Sequence, residues 1–200
     1  MAMTEADRTA TPGDYFEGFW STGDDPWDHA GRWYEARKYR LTVDALPKPR
    51  YERAFEPGCG AGVLTYLLAE RVDEHLAMER HPRGVEATQR RCHDRPSVSA
   101  RQGQIPTHWP DGSFDLIVLS ELLYYLDRAS LEATWALVEG SLRPGGHLVA
   151  VHHRPRVAEH VWTGDEIHAW LLGQGWAKGT RILDEGFVLD VLEAPGGGDA

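Results

Sequence analysis

The segment Phe55-Glu56-Pro57-Gly58-Cys59-Gly60-Ala61-Gly62 constrains the fold more than any other part of the chain. Three glycines alternate there between a short apolar stretch and the apolar run Val63 to Glu70, the pattern of a tight strand-to-helix turn. Without a Cβ, glycine reaches backbone conformations and ligand distances closed to other residues. The spacing is G-x-G-x-G. A dinucleotide fingerprint needs its third glycine where Val63 stands, and a phosphate-cradling P-loop needs a Gly-Lys-Ser/Thr that is absent. Glu56 precedes the turn, and a carboxylate there repels a pyrophosphate but attracts a cation.

Beyond the turn the chain alternates strands and helices. Arg53 to Phe55 reads as a first strand, Val63 to Glu70 as a helix and His75 to Met78 as a second strand. Pro82 to Cys92 reads as a helix with proline in its first turn, and Val98 to Arg101 as a weak third strand. Phe114 to Leu119 is almost wholly apolar, as a parallel strand covered on both faces must be. Leu131, Trp135, Val138 and Leu142 share one helix face behind Ser130, a candidate N-cap. Arg143-Pro144-Gly145-Gly146 stops that helix before a fifth strand, His147 to Val151. Thr163 caps a helix running to Leu172, with Gly173 near its end. Arg181 to Leu183 and Phe187 to Leu192 read as a terminal hairpin turning at Asp184-Glu185-Gly186. This alternation predicts a doubly wound α/β sheet with one antiparallel strand contributed by the hairpin.

The N-terminal part has a different character. Between Asp14 and Tyr34 stand Tyr15, Phe16, Phe19, Trp20, Trp27, Trp33 and Tyr34, a third of the aromatic residues in a tenth of the length. Gly31 to Leu46 reads as a helix ending at Pro47. Two roles fit the aromatics: packing a helix on the sheet, or forming a lid over a ligand. The breaks at Gly13, Gly18, Gly23, Asp24, Asp25 and Pro26 suit a jointed lid better than one packed helix. Met1 to Pro12 and Pro195 to Ala200 read as mobile ends.

Composition narrows the class. A chain of 200 residues with 42% hydrophobic and 26% charged residues is one globular domain. Its net charge of −10 argues against nucleic acid and against an anionic membrane, which need a basic face. Two cysteines, Cys59 and Cys92, exclude a disulfide-stapled scaffold and a cysteine-rich zinc fold. The first thirteen residues hold no apolar core, and no apolar run reaches a membrane span of about 20 residues. The expectation is therefore a cytoplasmic protein without nucleic-acid or membrane partners; its oligomeric state is not legible.

Glu79 closes the second strand, seventeen residues after Gly62. In a doubly wound sheet the strand ends converge on the ligand crevice, and a carboxylate there is suited to accept two ribose hydroxyl protons. The set EPGCGAG, Glu79, FDLIVL and LRPGGHLVA resembles the class I S-adenosylmethionine-dependent methyltransferases. The resemblance covers Tyr51 to Ala194, the expected cofactor-binding core, with residues 14–46 as its lid. A narrower likeness lies in Asp25-Pro26-Trp27, Trp33-Tyr34-Glu35, Lys38-Tyr39 and Ser120 to Leu126. These are similar to the nodulation-type N-methyltransferases, which methylate an amine on a chitooligosaccharide. The resemblance implies a Rossmann-like, mostly parallel seven-stranded sheet with a terminal antiparallel hairpin and an N-terminal helical lid. It also implies S-adenosyl-L-methionine held by Glu56, Gly58, Cys59, Gly60, Gly62, Glu79, Arg80, Gln104, Ile105 and Ser120. Gln104 departs from the family, which often has Asp after the third strand to meet the adenine amino group; a glutamine carbonyl accepts the same hydrogen bond.

Such an enzyme aligns a small-molecule acceptor with the methyl carbon and keeps water out. An amine must arrive without its extra proton, so a nearby group has to take it. Glu121, Tyr124 and His153 are the candidates, Glu121 first because it follows the fourth strand; its plainer alternative is capping the local backbone. Trp20, Trp27, Trp33 and Tyr34 are expected on the lid, and Asp165 and His168 beside the substrate unless they only begin a charged helix. His152 and His153 should point to opposite faces of their strand, so no metal site is expected. The rival readings are a dinucleotide oxidoreductase, a non-catalytic S-adenosylmethionine-binding protein and an O-methyltransferase.

Overall fold

The computed structural model describes residues 9–196. The outer parts of both ends read as mobile, residues 1–8 and 197–200, lie outside the described residues. Inside that boundary Thr11 is tied down, its N–H donating to the Tyr125 carbonyl at 3.0 Å and its hydroxyl to Glu159 at 2.7 Å.

Two helices, α1 (Gly13–Trp20) and α2 (Trp33–Asp44), precede the sheet. Then follow β1 (Tyr51–Pro57), α3 (Val63–Leu68), β2 (Val72–Glu79), α4 (Pro82–Arg91), β3 (Val98–Gln102) and β4 (Phe114–Ser120). The chain closes with α5 (Arg128–Ser141), β5 (Leu142–His153), α6 (Gly164–Leu172), β6 (Ala177–Leu183) and β7 (Phe187–Glu193). The strand order is β3-β2-β1-β4-β5-β7-β6. β1 to β5 pair in parallel, and β7 is antiparallel to both β5 and β6. This is the doubly wound sheet with a terminal hairpin that the alternation predicts.

The pleat sorts side chains into two cores. On β4 and β5, Ile117, Leu119, Leu148 and Ala150 face Leu131, Trp135 and Val138 of α5 and Ile167 and Leu171 of α6. The alternate residues Leu116, Val118, Val149 and Val151 face Tyr39 of α2 and Leu64 and Leu68 of α3. Each fully buried aliphatic side chain contributes about 1.5–3 kcal/mol, so the continuous apolar run of β4 is what a strand between two helical layers requires. The weak third strand is an edge strand and pairs only with β2. β6, the other edge, is mostly exposed, which fits its polar sequence.

Two local expectations change. The N-cap of α5 is Asp127, not Ser130: the Asp127 carboxylate accepts from the Ser130 amide at 2.8 Å, which places Ser130 inside the first turn. The run Arg143 to Gly146 is no loop before the strand, because β5 already begins at Leu142, opposite Phe114. Pro144 and the two glycines sit where the β4–β5 register shifts, a place that tolerates a missing donor. The capping box at Thr163 is present as expected, its hydroxyl accepting from the Glu166 amide.

Asp127→Ala is expected to lower the unfolding free energy by about 1 kcal/mol and Ser130→Ala by clearly less, measured by urea denaturation. Equal effects would return the cap to Ser130.

Candidate active site

Between β1 and β4 the strand order turns back on itself, and the chain leaving β1, β2, β4 and β5 opens on one side of the sheet. Ligands bind at such switch points. Here those loops, α1 and the start of α2 enclose a cavity of about 780 Å³, well inside the range of small-molecule sites.

One end is built by the glycine turn. Gly58, Gly60 and Gly62 have φ of +73°, +57° and +74°, values side chains resist. The amides of Gly58 and Cys59 donate to the Met78 carbonyl at 2.7 and 3.1 Å, pressing the turn onto the end of β2. Glu79 completes that junction: Oε2 accepts from the Gly60 amide at 3.2 Å and Oε1 from the His81 amide at 3.0 Å. Burial pushes its pKa up, and the backbone amides oppose that shift. Each oxygen keeps a further lone pair for a ligand hydroxyl. Glu56, Gly58, Cys59, Gly60, Arg80, Gln104, Ile105 and Ser120 line the same space. Gly62 does not: a Cβ on it would stand 2.9 Å from the Thr88 Cα, so this glycine lets α3 and α4 approach. Glu56 is buried, with Oε2 3.0 Å from His75 Nε2 but off the hydrogen-bond line. Burial raises the Cys59 thiol well above its ordinary value, which argues against a nucleophile.

The other end is built on a buried ammonium. Lys38 of α2 is 1% exposed, with Nζ 2.6 Å from Glu121 Oε1 and 2.7 Å from Glu35 Oε2. Glu121, held at φ +53° after β4, uses its second oxygen as well. Oε2 accepts from the His153 amide at 3.0 Å and from the Tyr124 hydroxyl. Burial, the largest single influence, raises the Glu121 pKa, but the Lys38 charge, His152 and the hydrogen bonds from Lys38 and Tyr124 together bring the carboxyl down to about 2. Both oxygens are engaged and the group is a very weak base, so Glu121 is better suited to fixed charge than to proton transfer. Burial, with Glu121 beside it, raises Tyr124 well above its ordinary range, so its proton stays on the bond to Glu121.

His153 is placed differently. The Tyr34 hydroxyl spends its one hydrogen on the Gly186 carbonyl at 2.9 Å. It can therefore only accept from His153 Nδ1, 3.4 Å away. This puts the neutral ring's hydrogen on Nδ1 and leaves Nε2 with a free lone pair. His160 lines the same end, stacked on Tyr124 with ring centres 3.9 Å apart, and burial brings its pKa down to about 4.

The aromatic N-terminal segment covers the cavity. Tyr15, Phe16, Phe19, Trp27 and Tyr34 line it, and Phe16 packs edge-on against Tyr125 at 4.9 Å. Four expected substrate or lid residues lie elsewhere. Trp20 is buried behind the lining, stacked on His81. Trp33 is 74% exposed on the outer surface. Asp165 pairs with Arg154 in solvent at 2.8 Å. His168 is buried under the sheet against Asp190. Among the described residues no His, Cys, Asp or Glu cluster could hold a metal ion. Sequence reasoning missed the charges of Lys38 and Glu35 and the ring of His160. In the sequence, Glu35, Lys38 and Thr42 on one helix face read as a solvated face; the structure buries all three with Tyr39.

The methyltransferase domain family matches residues 55–150. A structure from Pseudomonas syringae, described as a methyltransferase, is 38% identical, covering 81% of this chain and 99% of that one at a TM-score of 0.73. The N-methyltransferase NodS of Bradyrhizobium japonicum WM9, in complex with S-adenosyl-L-homocysteine, superposes at a TM-score of 0.83 with 25% identity, covering 91% of this chain and 97% of that one. Nodulation protein S of Rhizobium tropici is 31% identical over 128 residues, 63% of this chain. The match spans 54% of that curated relative's length, about half.

Removing one partner of a buried ion pair costs about 3–5 kcal/mol. Lys38→Met, which leaves Glu35 and Glu121 facing each other, is expected to lose that much in urea denaturation, and Lys38→Met with Glu121→Gln less than the two single losses together. The depressed Glu121 pKa adds a pH dependence. Its contribution to stability is complete above about pH 4.5 and is lost as pH falls toward about 2, because the unfolded chain takes the proton first. Acid titration of wild type against Glu121→Gln reads this directly; identical acid profiles would remove the coupling.

Proposed function

The chain belongs to the class I S-adenosylmethionine-dependent methyltransferases, and on that premise we propose that it transfers a methyl group from S-adenosyl-L-methionine to an amine of a small molecule, with amino sugars one class to test. One observation supports this most: a single cavity joins the Glu79 and glycine-turn end to an end carrying His153 Nε2 and the Glu35–Lys38–Glu121 cluster. The turn and the Glu79 carboxylate, with acceptor capacity left over, fit a nucleoside with two free ribose hydroxyls. Arg80, Gln104, Ile105 and Ser120 would line its place. Bound there, S-adenosyl-L-methionine supplies a methyl group on a sulfonium, already a good leaving group.

The chain's own residues then have three tasks. Tyr15, Phe16, Phe19 and Trp27 keep water from the acceptor. Glu35 and Glu121 carry two negative charges against the single charge of Lys38. The net negative wall attracts a cationic amine and orients it. His153 Nε2 takes the proton that the amine must shed before it has a lone pair to offer. His160, neutral because of its lowered pKa, adds no competing positive charge. Glu121 and Tyr124 hold the geometry, so the base assignment moves from Glu121 to His153. Similarity to NodS, an N-methyltransferase by its description, supports the amine. A hydroxyl acceptor is the second reading, because the same Nε2 lone pair can take a hydroxyl proton. The cytoplasmic location inferred from composition belongs to this reading; no helix among the described residues is long and apolar enough to cross a membrane.

The test is a transfer screen with methyl-labelled cofactor against amino sugars, simple amines and phenols. Label is expected on the amines, and His153→Gln is expected to lower turnover by roughly 10²–10⁴-fold with cofactor affinity unchanged. Label on phenols alone would replace the amine by a hydroxyl acceptor. Full turnover in His153→Gln would remove the base.

A further inference from the structure

Behind Tyr124 lies a row of buried polar side chains that the cavity chemistry does not use. His152 of β5 and His168 of α6 are 0% exposed, and Asp190 of β7 is 2% exposed. The Leu123 amide lies 3.2 Å from His152 Nε2, His152 Nδ1 lies 3.0 Å from His168 Nε2, and His168 Nδ1 lies 2.6 Å from Asp190 Oδ2.

These contacts admit one arrangement of hydrogens. A backbone amide can only donate, so His152 Nε2 must be bare. A neutral His152 then carries its hydrogen on Nδ1 and donates it to His168 Nε2. His168 in turn carries its hydrogen on Nδ1 and donates to the Asp190 carboxylate. Burial, and His168 next, push the His152 pKa well below its ordinary value, which keeps that ring neutral. The sheet register builds the row. Asp190 stands opposite Ala150, two residues from His152 on the same face, and His168 of α6 bridges the gap. Its far end is the turn Leu123–Tyr125, whose Tyr124 ring packs edge-on against His152 at 5.2 Å while its hydroxyl holds Glu121.

We propose that Asp190, His168 and His152 form a positioning relay that fixes the Leu123–Tyr125 turn, and through it places Tyr124 and Glu121 at the acceptor end of the cavity. The effect on catalysis rests on the methyl-transfer reading; the effect on the turn does not. With the relay reversed, His152 Nε2–H and Leu123 N–H would face each other, two donors with no acceptor, and a buried donor left unpaired is costly. None of the three residues lines the cavity, so they bear on it through the turn and through the Glu121 carboxylate that His152 faces.

The test uses the full chain, uniformly ¹⁵N- and ¹³C-labelled, without cofactor. Two-bond ¹H–¹⁵N spectra of wild type are expected to show His152 and His168 both as Nδ1–H tautomers at neutral pH. An Nε2–H or protonated His152 would overturn the relay, and this reading needs no variant. His168→Phe fills the space but breaks both links. In it the Leu123 amide should exchange about tenfold faster, and kcat should fall by about tenfold while the Kd for S-adenosyl-L-homocysteine is unchanged. Asp190→Asn, made in the wild-type chain, keeps an acceptor oxygen for His168 Nδ1 and should retain most of the wild-type Leu123 protection and kcat. Unchanged Leu123 exchange in His168→Phe would overturn the proposal. Changed exchange with unchanged kcat would overturn its catalytic part. If no acceptor is methylated at all, the methyl-transfer reading fails, while tautomers and exchange still decide the relay.

Discussion

An ammonium removed from water is tolerated only where carboxylates replace the water, and Lys38 shows what that demands of a fold. Its partners come from two places: Glu35 one turn earlier on α2, and Glu121 after β4. The pair therefore ties the N-terminal helix to the end of a central strand. Glu121 passes the constraint on, through Oε2, to the Tyr124 hydroxyl and to the amide of His153 on β5. Three segments distant in sequence thus depend on one cation. Such a cluster need not add net stability, because desolvation costs about as much as the attraction returns. What it provides is a defined arrangement, since any other leaves a buried charge unpaired.

That arrangement separates the two ends of the cavity by chemistry. At the glycine turn, main-chain amides converge on Glu79, whose remaining acceptor capacity suits hydroxyl groups. At the Lys38 end the acidic side chains are already engaged, and the open proton acceptor is an imidazole whose tautomer Tyr34 sets. The aromatic residues of α1 and the following turn close over both. A jointed segment does this more readily than a rigid helix: α1 ends at Trp20, and the chain turns before α2 begins at Trp33. The same segment does both kinds of packing. Trp20 packs inside, while Phe16, Phe19 and Trp27 face the ligand space.

The fold was legible because β1, β4 and their helices follow local rules: an apolar run for a covered strand, glycines for a turn with positive φ, and proline or threonine at helix starts. The cap of α5 was misread because Asp127 and Ser130 are both good caps and only geometry shows which carboxylate or hydroxyl meets which amide. The glycine turn was legible because its glycines follow one another in a G-x-G-x-G run, and Glu79 because it closes the next strand. At the other end Glu121, Tyr124, His153 and Tyr34 were legible as neighbours, but the charge pairing was not, because Lys38 and Glu121 stand 83 residues apart. A lone glutamate after a strand reads as a base; its engaged oxygens, invisible in the sequence, suit it instead to fixed charge. Likewise His168 next to an acidic helix start reads as a substrate contact, whereas Asp190, silent in the sequence, draws it beneath the sheet.

Calorimetric titration of the whole chain with S-adenosyl-L-homocysteine tests the central claim, that the Glu79 end of the cavity holds this nucleoside. The account predicts one site per chain, no binding of NADH, and a ten- to hundredfold weaker affinity in Glu79→Ala, the loss of about 1.5–3 kcal/mol expected for charge-assisted hydrogen bonds. Binding of NADH in its place, or an affinity for S-adenosyl-L-homocysteine untouched by Glu79→Ala, would contradict it.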